Sequence, residues 1–195
     1  LLHDILSRFD HEDKIISIHL QESFLENDLF EKKKGELLYW LKSIKSNSDI
    51  WEKRNRAIDV VKEMNNRRKL LVHNTFSRKE DVLQEAYYCT CPKSNLYIEN
   101  KLPDYSLFNP DMLCVGTDSL ASNDSLSIIE EIYTIQENSD FDLNTLLKIS
   151  SKNGAEALGF NKLGSFKKGK KPGVILIQNL EAMKISEIST VRRLC

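Results

Sequence analysis

Short apolar runs that lead into a polar side chain recur along this chain, the first of them β-branched. The first, Ile15-Ile16-Ser17-Ile18-His19-Leu20, leads into Gln21-Glu22; a second over 69–75 carries His73; a third over 112–116 leads into Thr117-Asp118. With a further run over 86–90, the pattern predicts four strands. Between them, apolar residues recur at helical spacing. Leu1, Leu2, Ile5, Leu6 and Phe9 predict a helix over 1–9. Leu25, Leu29, Phe30, Leu37, Leu38 and Leu41 predict one or two more, interrupted near Gly35, and Ile58, Val60, Val61 and Met64 continue the pattern over 51–64. A helix is expected from Ser77, with Glu80 three residues on as a capping box. Helices over 124–137, capped at Asp124, and over 144–158 follow the fourth strand, while 91–110 reads as a long loop. Strands alternating with helices imply an α/β protein with a parallel sheet.

After Gly159 the pattern changes to short pieces punctuated by Gly164, Gly169 and Pro172-Gly173, with one compact strand at Val174-Ile175-Leu176-Ile177. The tail over 161–195 is therefore expected to be a β-rich appendage to a body over 1–160.

Composition narrows the function classes. At 195 residues, 41% hydrophobic and 29% charged, the chain has apolar surface enough for one sizeable core. Its 28 basic and 29 acidic residues leave a net charge of -1, which supplies no field to draw phosphate backbones or an anionic bilayer. Lys167, Lys168, Lys170 and Lys171 cluster around Gly169, and a solvated turn accounts for them. No nucleic-acid or membrane partner is expected. No apolar run is long enough to span a bilayer, and acids, histidines and a lysine interrupt the first twenty residues, so a cytoplasmic location is expected. Cys89, Cys91, Cys114 and Cys195 are too few for a disulfide framework, and no second ligand pair at zinc-finger spacing accompanies Cys89 and Cys91. Reduced, mostly buried thiols are expected.

The polar residues at strand ends carry the chemistry. Parallel strands of an α/β barrel deliver catalytic side chains at their carboxyl ends. A neutral imidazole is a common zinc ligand, and a carboxylate is a harder one. His19 and Asp118 fit those two roles; Glu22 can move a proton from metal-bound water, and His73 can steady the anion that develops. Each residue also has a structural explanation: His19 as a satisfied strand-end histidine, Glu22 as a first-turn acid, Asp118 as turn chemistry. Three strand ends in one frame favour the hydrolytic reading.

These residues fall into a series: His19-Leu20-Gln21-Glu22, Val72-His73-Asn74, Cys91-Pro92-Lys93-Ser94-Asn95, and Gly116-Thr117-Asp118-Ser119 with Ala121-Ser122-Asn123. The series resembles the amidohydrolase superfamily, in its deaminase and chlorohydrolase branch. The segment from Leu163-Gly164-Ser165-Phe166 to Val174-Ile175-Leu176 resembles that branch's return into a small β-sandwich.

The resemblance implies the carboxyl-terminal half of a (β/α)8 barrel, strands five to eight with their helices, plus a short β-rich tail of the sandwich. It implies His19 as fifth-strand metal ligand, Glu22 as proton shuttle, His73 as sixth-strand histidine facing the reacting carbon, and Asp118 as eighth-strand ligand. Asn95 and Ser119 are implied in loop order or substrate contact. The implied reaction is hydrolysis of a C-N or C-Cl bond in a small heterocyclic or amide substrate, with one divalent metal, zinc or iron. The branch's first-strand His-x-His has no match here, since His3 and His11 form no such pair. The chain alone is therefore expected to be inactive, and cut strand edges are expected to promote homo-oligomers. The alternative is a non-catalytic half-barrel that self-associates or binds a partner.

Overall fold

The computed structural model describes residues 15–45, 51, 54–64 and 68–195. The helix expected over 1–9 lies outside them. Four parallel strands, β1 (Ile16–Leu20), β2 (Lys69–His73), β3 (Ala86–Thr90) and β4 (Leu113–Val115), form one sheet in chain order. In register, Ile18 pairs with Leu71 and Leu71 with Tyr88, while Cys89 pairs with Cys114. Along β1, Ile16, Ile18 and Leu20 alternate with exposed Ser17 and His19, so one face meets the core and the other carries the histidine.

The helices are shorter than expected and their ends are set by caps. Helix α1 (Phe24–Asn27) begins with a Ser23/Glu26 capping box and runs into a wider π-helical turn at Asp28–Lys32. Helix α2 (Glu36–Ser43) follows the break at Gly35, whose φ of +104 suits glycine alone. Among the described residues of the 51–64 stretch, Ala57–Lys62 (α3) is helical, entered through Arg56 and Asp59.

The helix expected from Ser77 is a single 3-10 turn, Lys79–Asp81. Asp81 is drawn inward to Gln21 and Arg56, and the Ser77 hydroxyl bonds Gln21 Oε1 instead of capping. Conversely, the expected loop over 91–110 begins with helix α4 (Pro92–Glu99), entered by proline at its first position and closed by left-handed Asn100.

Helix α5 (Ile128–Glu137) starts four residues later than expected, because Asp124 pairs with Lys93 rather than capping. Asp142 caps the next helix, α6 (Leu143–Leu147), which passes through a π-helical turn at Lys148–Lys152 into α7 (Asn153–Ala157).

The core lies where these helices meet the sheet: Leu71, Leu113, Ile132, Ile135, Leu146 and Ile149 are fully buried. Asn153 Nδ2 donates to the carbonyls of Pro110 and Leu113, tying α7 to the start of β4. All four cysteines are free thiols; Cys91 and Cys114 are buried and Cys195 is exposed. Cys89 and Cys91 point the same way, and a Cβ at Gly116 would meet their sulfurs at 3.2 and 3.5 Å.

In the tail, β5 (Ile175–Gln178) and β6 (Thr190–Arg193) make a separate antiparallel pair. Gln136 on α5 holds it, exchanging two 2.9 Å hydrogen bonds with the backbone of buried Ile185. No helix among the described residues is long and apolar enough to cross a membrane.

Candidate functional site

Three strand ends bring their polar side chains together. His19 is the last residue but one of β1, His73 ends β2, and Asp118 lies three residues past β4; one ligand atom from each lies within 4.8 Å of the others. Because Leu20 pairs with His73, the His73 ring sits one step above His19, with ring centroids 5.1 Å apart. The donor set of two imidazoles and a carboxylate suits zinc or iron. His73 is fully buried, and its Nε2 has no hydrogen-bond partner while lying 3.4 Å from Glu22 Oε1. A buried ring nitrogen left without a partner beside the His19 and Asp118 donor atoms makes the residues present fit a metal site.

Each side chain is braced. Asn95 Oδ1 lies 2.9 Å from His73 Nδ1, so Nδ1 carries the hydrogen and Nε2 points into the site. Asp118 Oδ2 accepts from Ser94 Oγ at 2.8 Å and Ser122 Oγ at 2.6 Å. Partial burial would raise the Asp118 carboxyl, but these two hydroxyls, the Ser119 backbone N–H and nearby His73 outweigh it and hold the group below its ordinary value.

Glu22 is fixed by its neighbours. The Glu26 carboxylate accepts the backbone N–H groups of Gln21 and Glu22 at 2.9 and 2.8 Å. The Gln21 side chain is wholly buried, donating to Asp81 at 3.0 Å and accepting from Ser77 at 2.7 Å. Ser119 stands apart from the cluster: it is exposed, and its hydroxyl accepts the Ala121 N–H at 3.3 Å, which orders the turn after Asp118.

Of the residues expected from sequence, His19, Glu22, His73, Asn95 and Asp118 converge here. The braces Ser94, Ser122, Gln21 and Glu26 carried no expectation. Gln21, Ser94 and Ser122 stand in the motif series without an assigned role, and Glu26 left a local signal in the Ser23-Phe24-Leu25-Glu26 capping-box pattern.

Comparison with known proteins adds kinship to this geometry. The model of the amidohydrolase family matches residues 1–191. The chain is 26% identical over 156 residues to the aminodeoxyfutalosine deaminase of Nitratiruptor sp., an overlap of 75% of this chain and 38% of that protein. It is 31% identical over 163 residues to the adenosine deaminase of Helicobacter pylori, an overlap of 75% of this chain and 39% of that one. The crystal structure of Helicobacter pylori aminofutalosine deaminase superposes with a TM-score of 0.69 at 26% identity, covering 87% of this chain and 45% of that chain. The chain thus spans less than half the length of these relatives.

Proposed function

Because this chain belongs to the amidohydrolase family, we propose that it forms the carboxyl-terminal half of a (β/α)8 barrel deaminase, with residues 161–195 contributing to a small β-sandwich. The proposed reaction replaces an exocyclic amine by oxygen on an adenosine-type nucleoside, releasing ammonia. The observation that carries it is the meeting of His19, His73 and Asp118 within 4.8 Å, with Glu22 3.4 Å from His73. Relatives named for adenosine, aminodeoxyfutalosine and 5-methylthioadenosine/S-adenosylhomocysteine support the substrate class.

In this reading His19 and Asp118 would hold one divalent cation, zinc or iron, together with ligands from elsewhere in the full-length protein, and its chemistry would be to supply a water that is nucleophilic near neutral pH. Glu22 takes a proton from the attacking water and passes it to the departing amine. His73, oriented by Asn95, faces the reacting carbon and offers its Nε2 lone pair to a hydrogen of the attacking water, which aims that water. Ser94 and Ser122 keep Asp118 ionised and aimed, and Ser119 orders the loop beside it. Four free thiols suit a reducing cytoplasm.

Metal analysis and turnover of the full-length protein test the reading. His19→Ala and Asp118→Ala are expected to lose metal and hydrolysis together; Glu22→Gln is expected to keep metal while turnover drops about 10²-fold or more. Retention of both metal and turnover in His19→Ala and Asp118→Ala would refute the assignment.

A second reading rests on the outer edges of β1 and β4, each paired with only one strand among the described residues. Open edges template association, and the chain alone is then a self-associating half-barrel without activity. Light scattering is expected to show a dimer or larger assembly of the 195-residue chain; a monodisperse monomer at high concentration refutes it.

A further inference from the structure

Glu131 is an acidic side chain with no solvent exposure, and neither the proton transfer nor the metal ligation described above uses it. It lies in the first turn of α5. Its Oε2 accepts the Lys93 backbone N–H at 3.0 Å, and its Oε1 accepts Asn123 Nδ2 at 2.6 Å.

Each of those bonds leads into the site within one or two residues. Lys93 precedes Ser94 and Asn95 in the first turn of α4, and their side chains hold Asp118 at 2.8 Å and His73 at 2.9 Å. The Asn123 amide nitrogen that meets Glu131 also donates to the Thr117 carbonyl at 2.7 Å. That bond closes the loop on either side of Asp118 and delivers Ser122 to Asp118 Oδ2 at 2.6 Å. One carboxylate therefore grips both the helix start and the loop that aim the candidate ligands.

Burial of a carboxylate is costly, and here it pushes the Glu131 carboxyl above its ordinary value despite both hydrogen bonds. An apolar side chain of similar volume would fill the same space without that cost. It could not gather a backbone N–H from α4 and an amide from the 117–123 loop.

We infer that Glu131 is a positioning residue, a buried clamp that sets Asp118 and His73 relative to one another. The inference rests on the deaminase reading above and deepens it.

The test compares Glu131→Gln with Glu130→Gln in the full-length protein. Glutamine at 131 keeps an oxygen for the Lys93 N–H but turns an amide toward the Asn123 amide, so one of the two grips is lost. Glu130, one residue earlier, is exposed and reaches Lys93 Nζ and Ser125 instead. Two readouts are taken: zinc affinity by chelator competition, and the His73 ring-nitrogen resonances of metal-free protein. Glu131→Gln is expected to weaken zinc binding roughly 10–100-fold, the size seen when a group behind a metal ligand is removed, and to shift the His73 resonances. Glu130→Gln is expected to leave both unchanged.

Wild-type zinc affinity with unshifted His73 resonances in Glu131→Gln overturns the inference. If Glu131→Gln does not fold, Asn123→Ala, which cuts the links to Glu131 and Thr117, carries the same two outcomes. If wild-type protein binds no zinc or iron, the deaminase reading fails, and the His73 resonances alone decide the positioning role.

Discussion

Replacing Asn95 by leucine separates the fold of the candidate site from its chemistry. Asn95 is 1% exposed, and its Oδ1 is the partner of Nδ1 on the fully buried His73 ring. Asn95→Leu keeps the branched outline of the side chain and removes the acceptor, which strands the Nδ1 hydrogen at a cost of about 1–3 kcal/mol. The same change deletes Asn95 Nδ2, a buried donor without a partner, and relieves a penalty of about the same size, about 1–3 kcal/mol. The two terms oppose, so the variant is expected to fold within about 1 kcal/mol of wild type, the size of a small net hydrogen-bond change.

The ring has a further escape. A neutral imidazole can move its proton from Nδ1 to Nε2, where Glu22 Oε1 lies 3.4 Å away and can accept it. That step engages both groups with each other and takes away the Nε2 lone pair. On the deaminase reading, turnover of the full-length protein is then expected to fall roughly 10–100-fold with stability nearly unchanged. Urea denaturation at constant slope measures the first quantity, and ring-nitrogen resonances report the tautomer directly. A stability loss above about 3 kcal/mol, beyond what one stranded donor costs, would make the Asn95–His73 bond a structural element. Wild-type turnover with the hydrogen still on Nδ1 would refute the orienting role.

The remaining predictions address the core and pH. Leu71 is wholly buried at the centre of the sheet between Ile18 and Tyr88, so Leu71→Ala is expected to lose about 2–5 kcal/mol in urea denaturation, and an unchanged midpoint would contradict its place in the core. Burial holds the Glu131 carboxyl above its ordinary value of 4.5, so the native state keeps that proton more tightly than the unfolded chain. Its contribution is present below that ordinary value and is lost as pH rises through the folded one, with Lys93 and Glu130 the other charged groups acting on it. The stability of wild type relative to Glu131→Gln is therefore expected to fall from acid toward neutral pH in paired urea titrations; a pH-independent difference would refute this.

The four strands were legible because each is a short apolar or aromatic run set between helical or turn-forming stretches, a signal that survives without tertiary information. Helix α4 was not, since Pro92-Lys93-Ser94-Asn95 reads as turn chemistry, and its exposed Tyr97 and Leu96 give no clean apolar stripe. The opposite error occurred at Ser77, where an apparent capping box yielded one 3-10 turn because Asp81 is satisfied 60 residues away by Gln21. The site divides in the same way. His19, Glu22, His73 and Asp118 are visible as polar side chains at strand ends. Ser94 is linked to Asp118 across 24 residues and Lys93 to Glu131 across 38, separations that only the folded chain closes.

Backbone conformation explains why those strand ends converge. Gln21, His73, Asn74 and Asp118 all have φ between 50° and 72°, a left-handed region costing non-glycine residues on the order of 1–3 kcal/mol each. They follow or end β1, β2 and β4, the strands that carry candidate ligands. After β3 the chain enters α4 with no such residue, and Asn95 reaches the site from the helix instead. A left-handed residue reverses the chain sharply, so the next side chain returns over the strand end rather than continuing along it. Holding that reversal requires bonds on both sides of it. Gln21 is held by Glu26 and Asp81, Asn74 by the Leu71 carbonyl at 2.7 Å, and Asp118 by Ser94 and Ser122. The hydrogen bonds surrounding the candidate ligands thus do two tasks: they keep three strained turns closed, and in closing them they set the distances among His19, His73 and Asp118.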